Sequence, residues 1–595
     1  MVSIQEERSS GRRQSTSKDR KLKKDPESPT NRRSSGYAGI AGGGSPRGVD
    51  FSPGIFKRVL LPSEAQRRVA LDSLITLLKT PVDPPSESPP LFGRSNSGGQ
   101  PTLPPDAKDA PLRKPLLLFH IPNLIRLASE SPFSDVREAF SNLLQFAQKD
   151  LNASIPLVRK SPSRFFSAAE AVSIQPDDPR VRTLFQNLFL QTGMVTHMDR
   201  VLAFLPGALE TYVVGYNYVM REPGPLPLAW RNYIAILAAA RHRCQYLVAR
   251  QEAEFLSNNG DPTWLQGVQH IPRKLYNILE VNALLAHQPW RLGKHHIESL
   301  VRGADAWSMA ELVHAIVLMS TFHSLCGFVM GCGIAFEADL LSPSELEAEA
   351  EEVAIEESVV ATSSLASSSW SAQEAAQATK DLIRLLQQGV PTTGEEPSQE
   401  EMASLLVTVA PTTAPSPERA PLQIYDCSQY IGTFQMQHVD FDMRCKEYTG
   451  LRLQDFSWKT SGYPLVNRFY PGVAPLLDRE FAAIYDLTDN SFANTKNLET
   501  RPFRSASWYY VHLIMGLTND DYDYHQVNVI LNRAVKGYMK KVVSFPENLT
   551  RHDFVNFGFE MEADEKTHVT LLAMEARKEA SILYGLNAIL KRMWS

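Results

Sequence analysis

From Leu116 onward, apolar positions recur at three- and four-residue spacing, and period-two alternation is almost absent. The pattern predicts helices over 181–204, 207–221, 229–256, 262–286, 294–302 and 308–334, preceded by apolar stripes at Ile121–Ala128 and Pro132–Gln148. An earlier periodic stretch, Phe56–Leu78, carries Leu60, Leu61, Val69, Leu71, Leu74 and Leu78. Periodicity resumes near Val473 and continues to the end of the sequence, so the expected fold class is all-α.

Between these stretches the composition changes. Residues 1–50 are Ser-, Gly-, Arg- and Lys-rich and cannot bury enough surface to order, so they read as a disordered basic arm. Residues 51–115 read as a helix plus a flexible Pro/Ser/Gly-rich segment, and 116–335 as an N-terminal helical domain. Residues 336–424 read as an acidic, then Pro-rich linker holding one isolated helix at Ala372–Leu386. Residues 425–595 form the expected C-terminal helical domain, opening on an aromatic-rich stretch.

One segment tests whether the chain crosses a membrane. Leu312–Ile334 has no Asp, Glu, Lys or Arg over 23 residues, long enough to span a bilayer. His314, Ser320, Thr321, His323 and Ser324 interrupt it, and no aromatic belt or basic cluster flanks it closely. The expectation is a buried core helix, with Gly327 and Gly331 allowing close helix approach.

A length of 595 residues exceeds what one core usually supports, and 43% apolar content is ordinary for a globular protein. The formal charge of −5 gives no global attraction to nucleic acid. The five cysteines lack a framework spacing and no secretory signal opens the sequence. Free thiols in a reducing cytosolic or nuclear setting are therefore expected. The run Arg20–Lys24 reads either as a nuclear-import patch or as part of a solvated arm.

Two places carry candidate chemistry. Arg231–Val248 reads as one Ala-rich helix presenting Cys244 amid Arg241, His242 and Arg243, neighbours that favour thiolate. A phenol such as Tyr246 can supply or take a proton, although residues two apart do not share a helix face. The competing reading is a buried cysteine packed as a small hydrophobe. Asn519–Tyr524 interleaves three acids with two tyrosines: a helix-capping turn explains one or two of the acids, and exposed tyrosines with an acidic rim describe a partner interface. The acids lack the glycine and spacing of a calcium loop, and no metal or cofactor is implied.

Arg231–Val248, Gly516–Asn528 (GLTNDDYDYHQVN) and Asp564–Arg577 (DEKTHVTLLAMEAR) together resemble the sestrins, stress-induced regulators of TOR signalling. The resemblance covers roughly Pro206–Ile334 and Tyr425–Ser595. It implies two alkylhydroperoxidase D-like helical halves about a pseudo-two-fold axis. It implies a leucine site in which Arg504 takes the carboxylate, Glu565 the ammonium, and Thr488, Ser491 and Thr500 form a lid. It places Asp520 and Asp521 on the GATOR complex, through which TOR complex 1 is inhibited. The alternative it implies is a thiol peroxidase centred on Cys244 and Tyr246. Three positions depart from the family pattern: Gln251 stands at a histidine, Leu205 at a histidine contributed by the first half, and Gly558 at the tryptophan floor of the leucine pocket.

Overall fold

Ser308 starts the central helix of the molecule, Met309–Gly331. Its hydroxyl accepts the Glu311 amide, while Glu311 accepts the Ser308 amide at 2.8 Å, satisfying two orphan donors reciprocally. The helix is buried nearly throughout, and among the described residues it is the one helix long and apolar enough to cross a membrane. It packs against the C-terminal helix Ala563–Met593, against Leu228–Arg241 and against Arg533–Ser544. Gly327 makes the last contact feasible: a Cβ there would stand 2.4 Å from the Val542 carbonyl oxygen. Gly331 likewise faces the Tyr538 hydroxyl, which donates to the Gly331 carbonyl at 3.0 Å. The apolar run is thus a core helix.

A computed structural model describes residues 52–83, 113–360, 372–389 and 426–594, with Ser398, Glu400 and Met402 between them. The basic arm 1–50 and most of the Pro-rich stretches lie outside these residues. The fold is all-helical, as the periodicity predicts. Strand pairing among the described residues amounts to three two-stranded ladders of two residues each and one isolated antiparallel bridge, Ser163 with Ile334. Both expected helical domains contribute to one continuous core, from Val59 and Phe140 to Tyr510 and Ile589. Buried polar links cross it: Arg577 reaches the Ala286 carbonyl at 3.0 Å, and Tyr430 donates to Glu252 at 2.6 Å.

The structure departs from the sequence reading in several places. The expected helix 181–204 breaks at Gly193 into Pro179–Thr192 and His197–Leu202, and 262–286 opens on 3₁₀ turns at Pro262–Gln266 and Val268–His270 before the helices Arg273–Asn277 and Leu279–His287. Phe56–Leu78 is interrupted at Pro62, giving a 3₁₀ turn at Pro53–Val59 and a helix at Glu64–Leu78, on which Val69 faces solvent. Arg231–Val248 is two helices, Leu228–Arg241 and Gln245–Ser257, broken where Arg243 adopts φ 53°. Two stretches of the expected linker are helical and dock on the body. In Pro343–Val360, buried Glu349 pairs with Arg164 at 2.6 Å and Arg159 at 3.4 Å. In Ala372–Gln388, Leu382 and Leu386 are buried and the Thr379 hydroxyl accepts the Glu560 amide at 2.8 Å.

Candidate functional site

Thr500 precedes the helix Arg501–Ile514, and Pro502 in its first turn suits a position whose amide has no helical partner. One turn in, Arg504 points back: its Nη1 donates to the Thr500 hydroxyl at 2.6 Å and its Nε to the Tyr485 carbonyl at 2.9 Å. Thr500 Oγ1 lies 2.9 Å from Thr488 Oγ1, so guanidinium and both hydroxyls form one chain. No hydrogen bond engages Nη2 of Arg504 among the described residues. Burial lowers the Arg504 pKa from its ordinary value.

Across from this helix, Ser491–Phe492 and Thr495–Lys496 form a hairpin whose two central residues, Ala493 and Asn494, have φ of 47° and 62°. Positive φ at both positions is the primed turn that matches strand twist. Glu565, third residue of Ala563–Met593, ties this hairpin down. Its Oε1 accepts the Ala493 amide at 2.7 Å and its Oε2 the Glu562 amide at 2.9 Å. Burial pushes the Glu565 carboxyl up, against the two amide bonds that favour its charge.

Leu205, Thr488, Ser491, Thr500, Arg504 and Glu565 line one cavity of about 60 Å³, several times the ~10–15 Å³ that a water needs. Phe492, Phe503, Met561, Val569 and Leu572 make its apolar wall, and Asp489, Asp564 and His568 complete it. His568, whose Nε2 lies 3.3 Å from the Ile484 carbonyl, is held down to about 4 by burial, so it stays neutral in ordinary buffers. A guanidinium, a carboxylate and an apolar wall lining one cavity suit a small zwitterion with an apolar side chain.

Gly558 does not supply the floor. It sits outside the cavity with φ +70°, and a Cβ there would stand 2.7 Å from Asn532 Nδ2. The aromatic surface comes from Phe492 and Phe503, against which the Phe559 ring packs from outside the cavity, with centroids 5.9 and 6.4 Å away. Sequence reasoning missed Phe492, Phe503, Met561 and His568. Only His568 carried a signal, standing one helical turn beyond Glu565.

At the acidic loop, Asp520 and Asp521 are exposed, as an interface requires. The parallel pairing of Leu451–Arg452 with Leu517–Thr518 brings Arg452 within 2.9 Å of Asp520. The tyrosines depart from the expected exposed anchors. Tyr522 stacks on Tyr509 at 3.8 Å and its hydroxyl meets His512 Nδ1 at 3.0 Å. Tyr524 is buried, and its hydroxyl accepts the Asn519 amide at 3.1 Å. They hold the loop from beneath, leaving the carboxylates outward, while Asp523 caps the helix Tyr524–Ile530.

Cys244 is buried at the N-cap of Gln245–Ser257. The Tyr246 hydroxyl donates to Glu337 at 2.9 Å, and no hydrogen bond joins it to the thiol among the described residues. Gln251 is engaged with Asn232 and Tyr216. Of the cations expected around the thiol, Arg241 is spent on the Phe434 and Met436 carbonyls and Arg243 faces solvent.

Residues 161–593 match the family model described as PA26 p53-induced protein (sestrin). A sestrin homolog of Dictyostelium discoideum is 38% identical over 589 residues, 92% of this chain and 97% of that protein. Sestrin-1 of Mus musculus is 37% identical over 73% of this chain and 90% of its own length. Sestrin-2 of Mus musculus is 37% identical over 68% of this chain and 85% of its own length.

Proposed function

Because the chain belongs to the sestrin family, we propose that it is an amino-acid-responsive regulator of the sestrin type. Leucine seats in the cavity between Arg504 and Glu565, the acidic loop engages the GATOR complex, and TOR complex 1 is thereby inhibited. The observation that carries the reading is convergence: six residues spread from Leu205 to Glu565 line one cavity with opposite charges at hand.

In this reading the free Nη2 edge of Arg504 takes the ligand carboxylate, and Glu565 takes the ammonium while keeping the Ala493 amide. The isobutyl group lies against Phe492, Phe503 and Met561. Ser491 keeps the hydroxyl of a threonine lid without its methyl. A ligand that ties Glu565 to the hairpin favours one arrangement of residues 488–500, and a preference for that arrangement shifts its population.

Isothermal calorimetry with leucine on the full chain tests the reading. Saturable binding that disappears in Arg504→Ala and Glu565→Ala supports it. Equal heats for wild type and Glu565→Ala refute it.

A further inference from the structure

One wall of the cavity is irregular chain, so its main-chain groups need partners that no helix ladder supplies. Residues 556–562 join the helix Arg551–Val555 to the C-terminal helix Ala563–Met593. Met561 lines the cavity, and Phe559 backs it by packing on Phe492 and Phe503. Three successive amides of this segment have acceptors from three sources. The Met561 amide donates to the Phe559 carbonyl at 3.1 Å, within the segment. The Glu562 amide donates to Glu565 at 2.9 Å. The Glu560 amide, next to Met561, donates to Thr379 Oγ1 at 2.8 Å.

Thr379 comes from the helix Ala372–Gln388, far away in sequence. The helix buries Thr379, Leu382 and Leu386 along one stripe and exposes Gln377, Lys380, Asp381 and Arg384. Apolar burial is non-directional, so the two leucines by themselves admit the helix at more than one height. The hydroxyl selects one. It donates to the Ala375 carbonyl one turn back at 2.8 Å, which fixes its rotamer and leaves its oxygen to accept the Glu560 amide. Thr379 itself does not line the cavity.

We propose that Thr379 is a positioning residue for the amino-acid cavity, and that the helix Ala372–Gln388 is a clamp on the cavity wall whose docking is coupled to ligand binding. The inference rests on the amino-acid reading and adds a means of regulating that site. Thr379 holds the Glu560 amide, and Glu560 is flanked by Phe559, which backs the wall, and Met561, which forms it. One residue further, the Glu562 amide meets the carboxylate of Glu565, which lines the same cavity. A loosened clamp therefore frees the wall and disturbs Glu565 together. Coupling is reciprocal: a ligand that prefers the clamped wall also holds the helix down.

Leucine calorimetry and hydrogen–deuterium exchange on the full chain test the proposal in wild type, Thr379→Val, Thr379→Ser and Leu382→Asp. Valine keeps the shape and removes the acceptor; serine restores the acceptor. Thr379→Val is expected to weaken leucine binding roughly three- to tenfold, the span of one hydrogen bond, and to speed exchange over 559–562 without shifting the main thermal transition. Thr379→Ser is expected to bind as wild type does. Leu382→Asp sets a charge on the docked face and is expected to give the larger loss. In wild type, leucine is expected to slow exchange over 372–388. Wild-type affinity in both Thr379→Val and Leu382→Asp overturns the proposal, as does a serine variant that binds no better than the valine one. If wild type gives no heat with leucine, the amino-acid reading fails on its own and exchange alone decides the clamp. Faster exchange over 559–562 in Thr379→Val and Leu382→Asp then supports it, and unchanged exchange overturns it.

Discussion

The Glu565 carboxylate accepts the Ala493 amide at 2.7 Å and so fixes the tip of the 491–496 hairpin to the first turn of the C-terminal helix. The same carboxylate closes the capping box with Glu562. A single side chain thus holds a helix end, a lid and one wall of the cavity. Glu565→Gln keeps a similar shape but removes the charge. Glu565→Gln is expected to fold and to lose leucine binding by about 2–5 kcal/mol, the usual consequence of leaving a buried charge unpaired. Calorimetry beside a thermal melt separates the two effects.

Ala493 pays for the turn that Glu565 holds. At φ 47° its Cβ crowds the backbone, at roughly 1–2 kcal/mol. Ala493→Gly removes that crowding and is expected to raise stability by about 1 kcal/mol while keeping leucine binding. A lowered melting temperature would show that the Cβ is not strained.

Gly558→Trp tests where the pocket floor lies. Position 558 has φ +70°, and any Cβ there would stand 2.7 Å from Asn532 Nδ2. A tryptophan is therefore expected to destabilise the fold by about 1–3 kcal/mol without tightening leucine binding. Tighter binding in the variant would return the floor to position 558.

Exposed Asp520 and Asp521 are expected to matter for a partner and little for stability. Changing both to Ala should abolish co-purification with GATOR proteins and shift unfolding by no more than about 0.5 kcal/mol. Retained pulldown by the double variant would remove the acidic loop from the interface.

Acid should weaken the fold through buried histidines. Burial holds His568 down to about 4 and His314 to about 3, below the 6.5 of an exposed imidazole. Depressed values mean that the unfolded chain binds protons the native state refuses. The histidine contribution is therefore complete above about pH 6.5 and is lost as pH falls toward 4 and 3, at about 1.4 kcal/mol per pH unit for each group. Urea unfolding at stepped pH should show this slope, and His314→Gln should flatten it. An unchanged slope would place that proton uptake elsewhere.

Helices were legible because an apolar stripe at helical spacing persists whatever it packs against, and Leu312–Ile334 could be assigned to the core from its own polar interruptions. The break at Arg243 was not legible, since a left-handed arginine carries no glycine or proline signal. Docking of the 343–360 helix depends on Glu349 meeting Arg159 and Arg164, nearly two hundred positions away, a relation that local composition does not encode. In the cavity, charged and hydroxyl-bearing residues were found through family resemblance. The apolar wall was not, because Phe492 and Phe503 look like any core aromatic until the hairpin turns them inward. The inward tyrosines of the acidic loop were missed for a related reason: a tyrosine reads alike in sequence whether its hydroxyl meets solvent or His512.

The parallel pairing at Leu451–Leu517 gives the acidic loop a tenant of its own. Arg452 occupies Asp520 in the free protein, and the pair is more than half exposed. Such a contact contributes little to folding. Its influence falls on the speed of encounter: a neighbouring guanidinium dims the negative field that would draw a basic partner in. Rim charges of this kind act mainly on association rates and their salt dependence. In a complex of the proposed kind, Arg452 would set how quickly the loop is found and leave how long the complex lasts to the surfaces beneath it.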